Sequence, residues 1–128
     1  MKLFDTTFTK LQSALDVRLE RQNVLNGNLA NLDTPGYSPR DLDFDKALAA
    51  AEATRSQGSD PAMSNAHHDS SAFVHVAQDL QTGLDGNGVD LDKTMVELAR
   101  NSLLYGAAAK AVGKKLSLLR YVATDGVG

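Results

Sequence analysis

Apolar residues recur in steps of four and three at both ends of this chain, with a weaker pattern between. Near the start, Phe4, Phe8, Leu11, Leu15, Leu25, Leu29 and Leu32 stand on one ladder, and Arg18 and Gln22 occupy the rungs between Leu15 and Leu25. This is the heptad rhythm of a coiled-coil seam. It predicts a helix over residues 4–32, about 43 Å long at roughly 1.5 Å per residue. Near the end, Leu91, Met95, Leu98, Ser102, Tyr105, Ala109, Val112, Leu116 and Leu119 repeat the rhythm with Ser102 as the one polar rung. Asp90 suits the N-cap of that helix and Asp92 its positive first turn, while Lys114, Lys115 and Arg120 lie towards its negative end. Thr124-Asp125-Gly126 ends the pattern.

The segment between the ladders is irregular. Residues 41–54, DLDFDKALAAAEAT, predict a short helix. Residues 55–72, RSQGSDPAMSNAHHDSSA, are polar and rich in breakers, the composition of a mobile loop. Ala72 to Val76 is either a short strand or an extended segment, and the glycine cluster Gly83 to Gly88 is a turn leading into the last helix. The expected fold is mainly α, with long N- and C-terminal helices pairing as an antiparallel coiled coil around a small irregular middle. The expected units are residues 1–33, 34–89, 90–122 and a tail at 123–128. A long connection between paired helices is tolerable, because closure cost grows only slowly with loop length.

Neither helix is built for one partner alone. From Leu103 to Val112 the sequence LLYGAAAKAV holds one charge in ten residues, and a helix apolar nearly all round is a buried helix. Beside the seam, Ala99, Leu103, Gly106, Lys110 and Gly113 form a second stripe. An interior glycine costs roughly 1 kcal/mol against alanine, so Gly106 and Gly113, one heptad apart, predict a face where another backbone comes close; the alternative is a merely loosened helix. Residues 23–32, NVLNGNLANL, hold four asparagines and a glycine, all poor helix formers. Their place on the ladder predicts a helix end completed by partner chains. Arg18, Gln22 and Ser102 then either set register in the seam or face solvent as the stripe drifts. Pro35 keeps Thr34 out of the α region, so the first helix must stop by about Asp33. Pro35-Gly36 predicts a type II turn with positive φ at Gly36, and Tyr37 follows with its hydroxyl free to reach a polar partner.

Composition narrows the function. At 128 residues the chain has room for one domain. A net charge of −3 lacks the basic footprint of a nucleic-acid binder. There is no cysteine, which removes disulfides and zinc–thiolate sites. No apolar run approaches the roughly 20 residues that span a bilayer, and the first residues lack the apolar core of a cleaved signal. Aromatic residues make up 5% and the apolar content leans on alanine, which favours helix-on-helix contact over a thick core.

Candidate chemistry is sparse. His67, His68, Asp69 and His75 are the nearest thing to a metal set, but they sit in a breaker-rich segment without an i, i+4 pair. A calcium loop counted from Asp85 fails where Val89, Asp90 and Val96 replace the expected ligands and glycine. Asp41, Asp43 and Asp45 lack a recognisable cleft to raise a carboxyl pKa and are expected on a solvated face. No catalytic residue, cofactor or metal is expected.

Two stretches carry a resemblance. Ala30 to Tyr37, ANLDTPGY, is similar to the A-N-x-x-T-P-G-Y signature of bacterial flagellar rod and hook proteins, through Ala30, Asn31, Thr34, Pro35, Gly36 and Tyr37. Val89 to Arg120 resembles the terminal heptad helix of the same family, which opens on V-D-L. The short middle and RDLDF at Arg40 to Phe44 are most similar to the proximal-rod members. The resemblance implies a non-enzymatic subunit of the basal-body rod that polymerises through its terminal helices into part of the drive shaft and export channel. It implies export without a cleaved signal into the periplasm-spanning rod. The implied partners are further copies, other rod proteins, the adaptor FliE, and membrane-ring and export-gate proteins, with no nucleic acid or small-molecule substrate. The competing expectation is a self-contained helical adaptor or chaperone that binds one partner helix.

Overall fold

A computed structural model describes residues 6–57, 70–82 and 88–125. Two long helices dominate it: α1, Thr6–Ala30, and α3, Leu91–Asp125. Between them come a short strand β1, Arg40–Leu42, a 13-residue helix α2, Phe44–Ser56, a 3-10 turn at Ser70–Phe73, the strand β2, Val74–Val76, and a 3-10 turn at Gln78–Leu80. Phe4, His67, His68, Asp69, the Gly83–Asn87 part of the turn and Gly126 lie outside the described residues. No described helix is long and apolar enough to cross a membrane.

The helix ends follow local chemistry. Asp90 caps α3 by accepting from the Lys93 amide at 3.0 Å, and Asp43 caps α2 by accepting from the Lys46 amide at 3.3 Å. Past Ala30, the Asn31 side-chain amide donates to the Gly27 carbonyl at 2.8 Å, satisfying one of the last helical acceptors. Of the stretch 72–76, Ala72 and Phe73 end the 3-10 turn and only Val74–Val76 is a strand: β1 and β2 pair antiparallel with Arg40 opposite Val76 and Leu42 opposite Val74. β1 went unseen in the sequence, because three residues are too few to show an alternation.

α1 and α3 run antiparallel, with Arg18 beside Asn101, Arg21 beside Glu97 and Leu25 packed with Leu98. Two small apolar clusters hang on α1. Val17, Leu42, Ala47 and Ala51 form one, closed over by Phe44, Phe73 and Val74. Leu25, Ala77, Leu80 and Leu98 form the other, with Leu29 against it. Full burial of a side chain such as Leu25 contributes about 1.5–3 kcal/mol. α1 is thus the spine, with α2 and the strands along one side and α3 along another.

Candidate functional site

The turn after α1 is locked from inside. Gly36 has φ +76° and the Tyr37 amide donates to the Thr34 carbonyl at 3.3 Å, the geometry of a type II turn. Asn28, fully buried, holds the turn to the helix. Its side-chain amide donates to the Arg40 carbonyl at 2.7 Å. Its side-chain oxygen accepts from the Arg40 amide at 2.8 Å and from the Tyr37 hydroxyl at 3.1 Å. The β2-facing bonds of β1's neighbourhood run through Pro39 and Asp43, so Arg40 points its backbone groups the other way, and Asn28 fills both. Within the asparagine-rich helix end, Asn28 and Asn31 thus find partners in their own chain, while Asn23 and Asn26 stand exposed. A side chain with two donors and an acceptor is what the bare strand edge needs, and a leucine on that rung would leave it unpaired.

Beside this bracket lies an ionic clasp. Arg21 forks onto Asp41 at 2.8 and 2.7 Å and reaches Glu97 at 3.0 Å, joining α1, β1 and α3 through one guanidinium. The Asp41 hydrogen bond raises the Arg21 pKa above its ordinary value, against the opposing pull of burial. Burial first, and then the neighbouring Arg21 charge, lower that of Arg18, whose guanidinium lies 4.1 Å over the Phe44 ring. Of the three carboxylates expected on a solvated face, only Asp45 stands there; Asp41 is clasped and Asp43 caps α2. Nothing in the local sequence around Asp41 announces Arg21 or Glu97, which are 20 and 56 residues away.

The least exposed positions of α3 are Thr94, Leu98, Asn101, Ala108, Val112, Lys115 and Leu119, again in steps of four and three but for one missing rung between Asn101 and Ala108; Glu97 and Gly106 are half-buried off this line. This line shares Leu98, Val112 and Leu119 with the expected seam, but its other rungs fall one residue earlier. Ser102 and Ala109 face outward, as do Leu91, Met95, Tyr105 and Leu116. On α1, Phe8 and Leu25 are buried, while Leu11, Leu15 and Leu29 are half-buried. The physical reason lies in Asn101. Fully buried, it donates to the Arg18 carbonyl at 2.8 Å and to the Gln22 side chain at 2.7 Å, and it accepts from the Arg18 guanidinium at 3.4 Å. Arg18 and Gln22 thus belong to the seam and Ser102 does not.

The polar rungs face inward and the greasier stripe faces out. Ten large apolar side chains of α3 stand exposed, from Leu91, Met95 and Val96 to Leu103 at 74% and Leu118 and Tyr121 at 65% each. A Cβ placed on Gly106 or on Gly113 would meet nothing within 4 Å. Bare apolar side chains in this number on one helix mark an interaction face.

The comparisons agree with this anatomy. The flagella basal body rod protein family matches residues 10–37, the stretch of α1 and the turn that Asn28 fastens together. Over 121 residues the chain is 39% identical to the flagellar basal body rod protein FlgB of Aeromonas hydrophila, covering 89% of each chain. It is 35% identical to that of Salmonella typhimurium over 125 residues, covering 90% of this chain and 91% of the relative. With that of Bacillus subtilis the identity is 32% over 130 residues, across 98% of this chain and 99% of the relative. Sequence likeness that runs through both long helices, the locked turn and the short middle places this chain in the FlgB family of flagellar basal body rod proteins.

Proposed function

We propose that this chain is a structural subunit of the proximal rod of the flagellar basal body, polymerising through its terminal helices to form part of the drive shaft and export channel. The observation that carries this is the outward face of α3, where Leu103, Leu118 and Tyr121 stand bare while the polar rungs Thr94 and Asn101 are spent inside the pair. A helix that hides its polar residues and shows its apolar ones reaches its low-energy packing only against neighbours. Gly106 and Gly113 keep part of that face thin enough for a second backbone. The work of the subunit is mechanical, and the partners that fit are further copies and other rod proteins, with FliE, the membrane ring and the export gate at the base. The chain reaches the periplasm-spanning rod by export without a cleaved signal.

A tagged copy expressed in its own host tests this. Purified basal bodies should contain the tagged chain at its full length, and deletion of the gene should abolish both the rod and motility. Intact rods in the deletion strain, or basal bodies free of the tagged chain, would overturn the assignment.

A further inference from the structure

The inward line of α3 is not the one that apolar burial alone would choose. It places Thr94 and Asn101 fully inside and Lys115 half inside, while Met95 stands 51% and Leu116 46% exposed one residue further on. The buried line and the oilier one beside it both run through Leu98, Val112 and Leu119. At about 100° per residue, Thr94, Glu97, Asn101 and Lys115 lie on one side of that shared line, and Met95, Ser102, Ala109 and Leu116 on the other. A roll of α3 about its own axis would exchange the two sides without shifting its register against α1. Burial of apolar area favours that exchange, which would trade Thr94 and Lys115 for Met95 and Leu116.

Polar contacts on one side oppose it. Asn101 donates to the Arg18 carbonyl at 2.8 Å and to the Gln22 side chain at 2.7 Å, and accepts from the Arg18 guanidinium at 3.4 Å. Glu97, on the same side, accepts from Arg21 at 3.0 Å. The Thr94 hydroxyl does not hold the roll, because it donates to the Asp90 carbonyl of the same chain turn at 2.7 Å. After a roll, Ser102 would face Arg18 and Gln22 in place of Asn101, with one donor where the asparagine has two. Either setting gives that pair a polar partner, so the two differ chiefly in what Asn101 and Glu97 hold.

We propose that α3 has two settings against α1, related by this roll, and that Asn101 and Glu97 lock it in the one that leaves Met95 and Leu116 outside. A polar residue at a seam position fixes how helices meet at a cost in stability, and packed helix interfaces switch between discrete arrangements. The use of the lock rests on the rod-subunit reading above: it keeps these two side chains on the face that neighbours would cover. Leu103, Leu118 and Tyr121 stay outward in either setting.

The chain has no cysteine, so single ones report cleanly. Thr94→Cys, Met95→Cys, Ala109→Cys and Val112→Cys are made one at a time, and alkylation by iodoacetamide is timed on the dilute chain. In the parent, Met95→Cys and Ala109→Cys should react fast, and Thr94→Cys and Val112→Cys slowly. The variant that turns the lock exchanges the polar rungs, Asn101→Ser with Ser102→Asn, in a Glu97→Ala background. There the Met95→Cys and Ala109→Cys rates should fall at least about fivefold and the Thr94→Cys rate rise by as much, as exposed positions become sheltered and the reverse. Val112→Cys, on the shared line, should stay slow. Rates that do not move overturn the proposal. So does Val112→Cys reacting as fast as Met95→Cys, which would mean that the helix pair opens and does not roll. If circular dichroism shows that the exchange variant has lost helix, Asn101→Ala with Glu97→Ala is read at the same positions by the same criteria. In the host, the exchange variant should swim at less than about half the parental rate. Full swimming with the labelling pattern reversed overturns the use of the lock and keeps the rod assignment. Basal bodies free of the chain remove the rod assignment and leave the labelling result standing.

Discussion

Removing the Asn28 side chain tests whether the turn is held by the chain itself. Asn28→Ala deletes three hydrogen bonds, of 2.7, 2.8 and 3.1 Å, and strands the amide and carbonyl of Arg40 together with the Tyr37 hydroxyl. Each backbone group left dry and unpaired costs about 1–3 kcal/mol. Arg40 is exposed, so water reaches part of this edge and the cost falls in the lower half of that range. The hydroxyl of half-buried Tyr37 adds about 0.5 kcal/mol, because it can turn to solvent. The sum is about 2.5–4.5 kcal/mol, or a fall in Tm of roughly 10–15 °C for a domain of this size. Urea and thermal melts followed by circular dichroism measure it. Tyr37→Phe breaks only the longest of the three bonds and should cost less than about 1 kcal/mol. A loss below about 0.5 kcal/mol for Asn28→Ala, or equal losses for both variants, would refute the bracket, since the ranking follows from which groups are stranded.

Other perturbations separate the parts of the molecule. Gly106→Ala meets nothing within 4 Å, so the isolated chain should gain about 0.5–1 kcal/mol of helix stability in denaturant melts while rod formation is impaired; Gly106→Leu should impair it further, and normal motility with either would sink the close-approach face. Arg21→Ala leaves the Asp41 and Glu97 carboxylates facing each other, each mostly sheltered, and should destabilise by about 2 kcal/mol in urea, with Asp41→Asn recovering part of that in the same background. The hydrogen bond from the Lys46 side chain, followed by that from its amide, lowers the Asp43 pKa below the ordinary carboxylate value. The α2 cap is therefore present above about pH 4 and is lost as pH falls through the lower folded value; Asp43→Asn, still a good cap, should flatten the loss of helicity on acidification.

The sequence by itself determined the elements whose cause is local. Heptad spacing placed both long helices, Asp90 announced the start of α3, and Pro35-Gly36 dictated a type II turn, because each depends on residues within one or two turns of chain. Only the tertiary structure decided which face of α3 lies inward. Two heptad stripes one residue apart differ by about 100° of rotation, and apolar content favours Met95, Ala109 and Leu116. The choice went to Thr94, Asn101 and Ala108, since Asn101 finds Arg18 and Gln22 across 79 to 83 residues of chain. Asn28 follows the same logic. Its three partners lie on a turn and a strand edge that exist only once β1 has paired with β2, so alone it reads as a flaw in a helix and in the fold it is a clasp. Hydrogen bonds between residues distant in sequence leave no period behind, and they fixed what the periodicity left open.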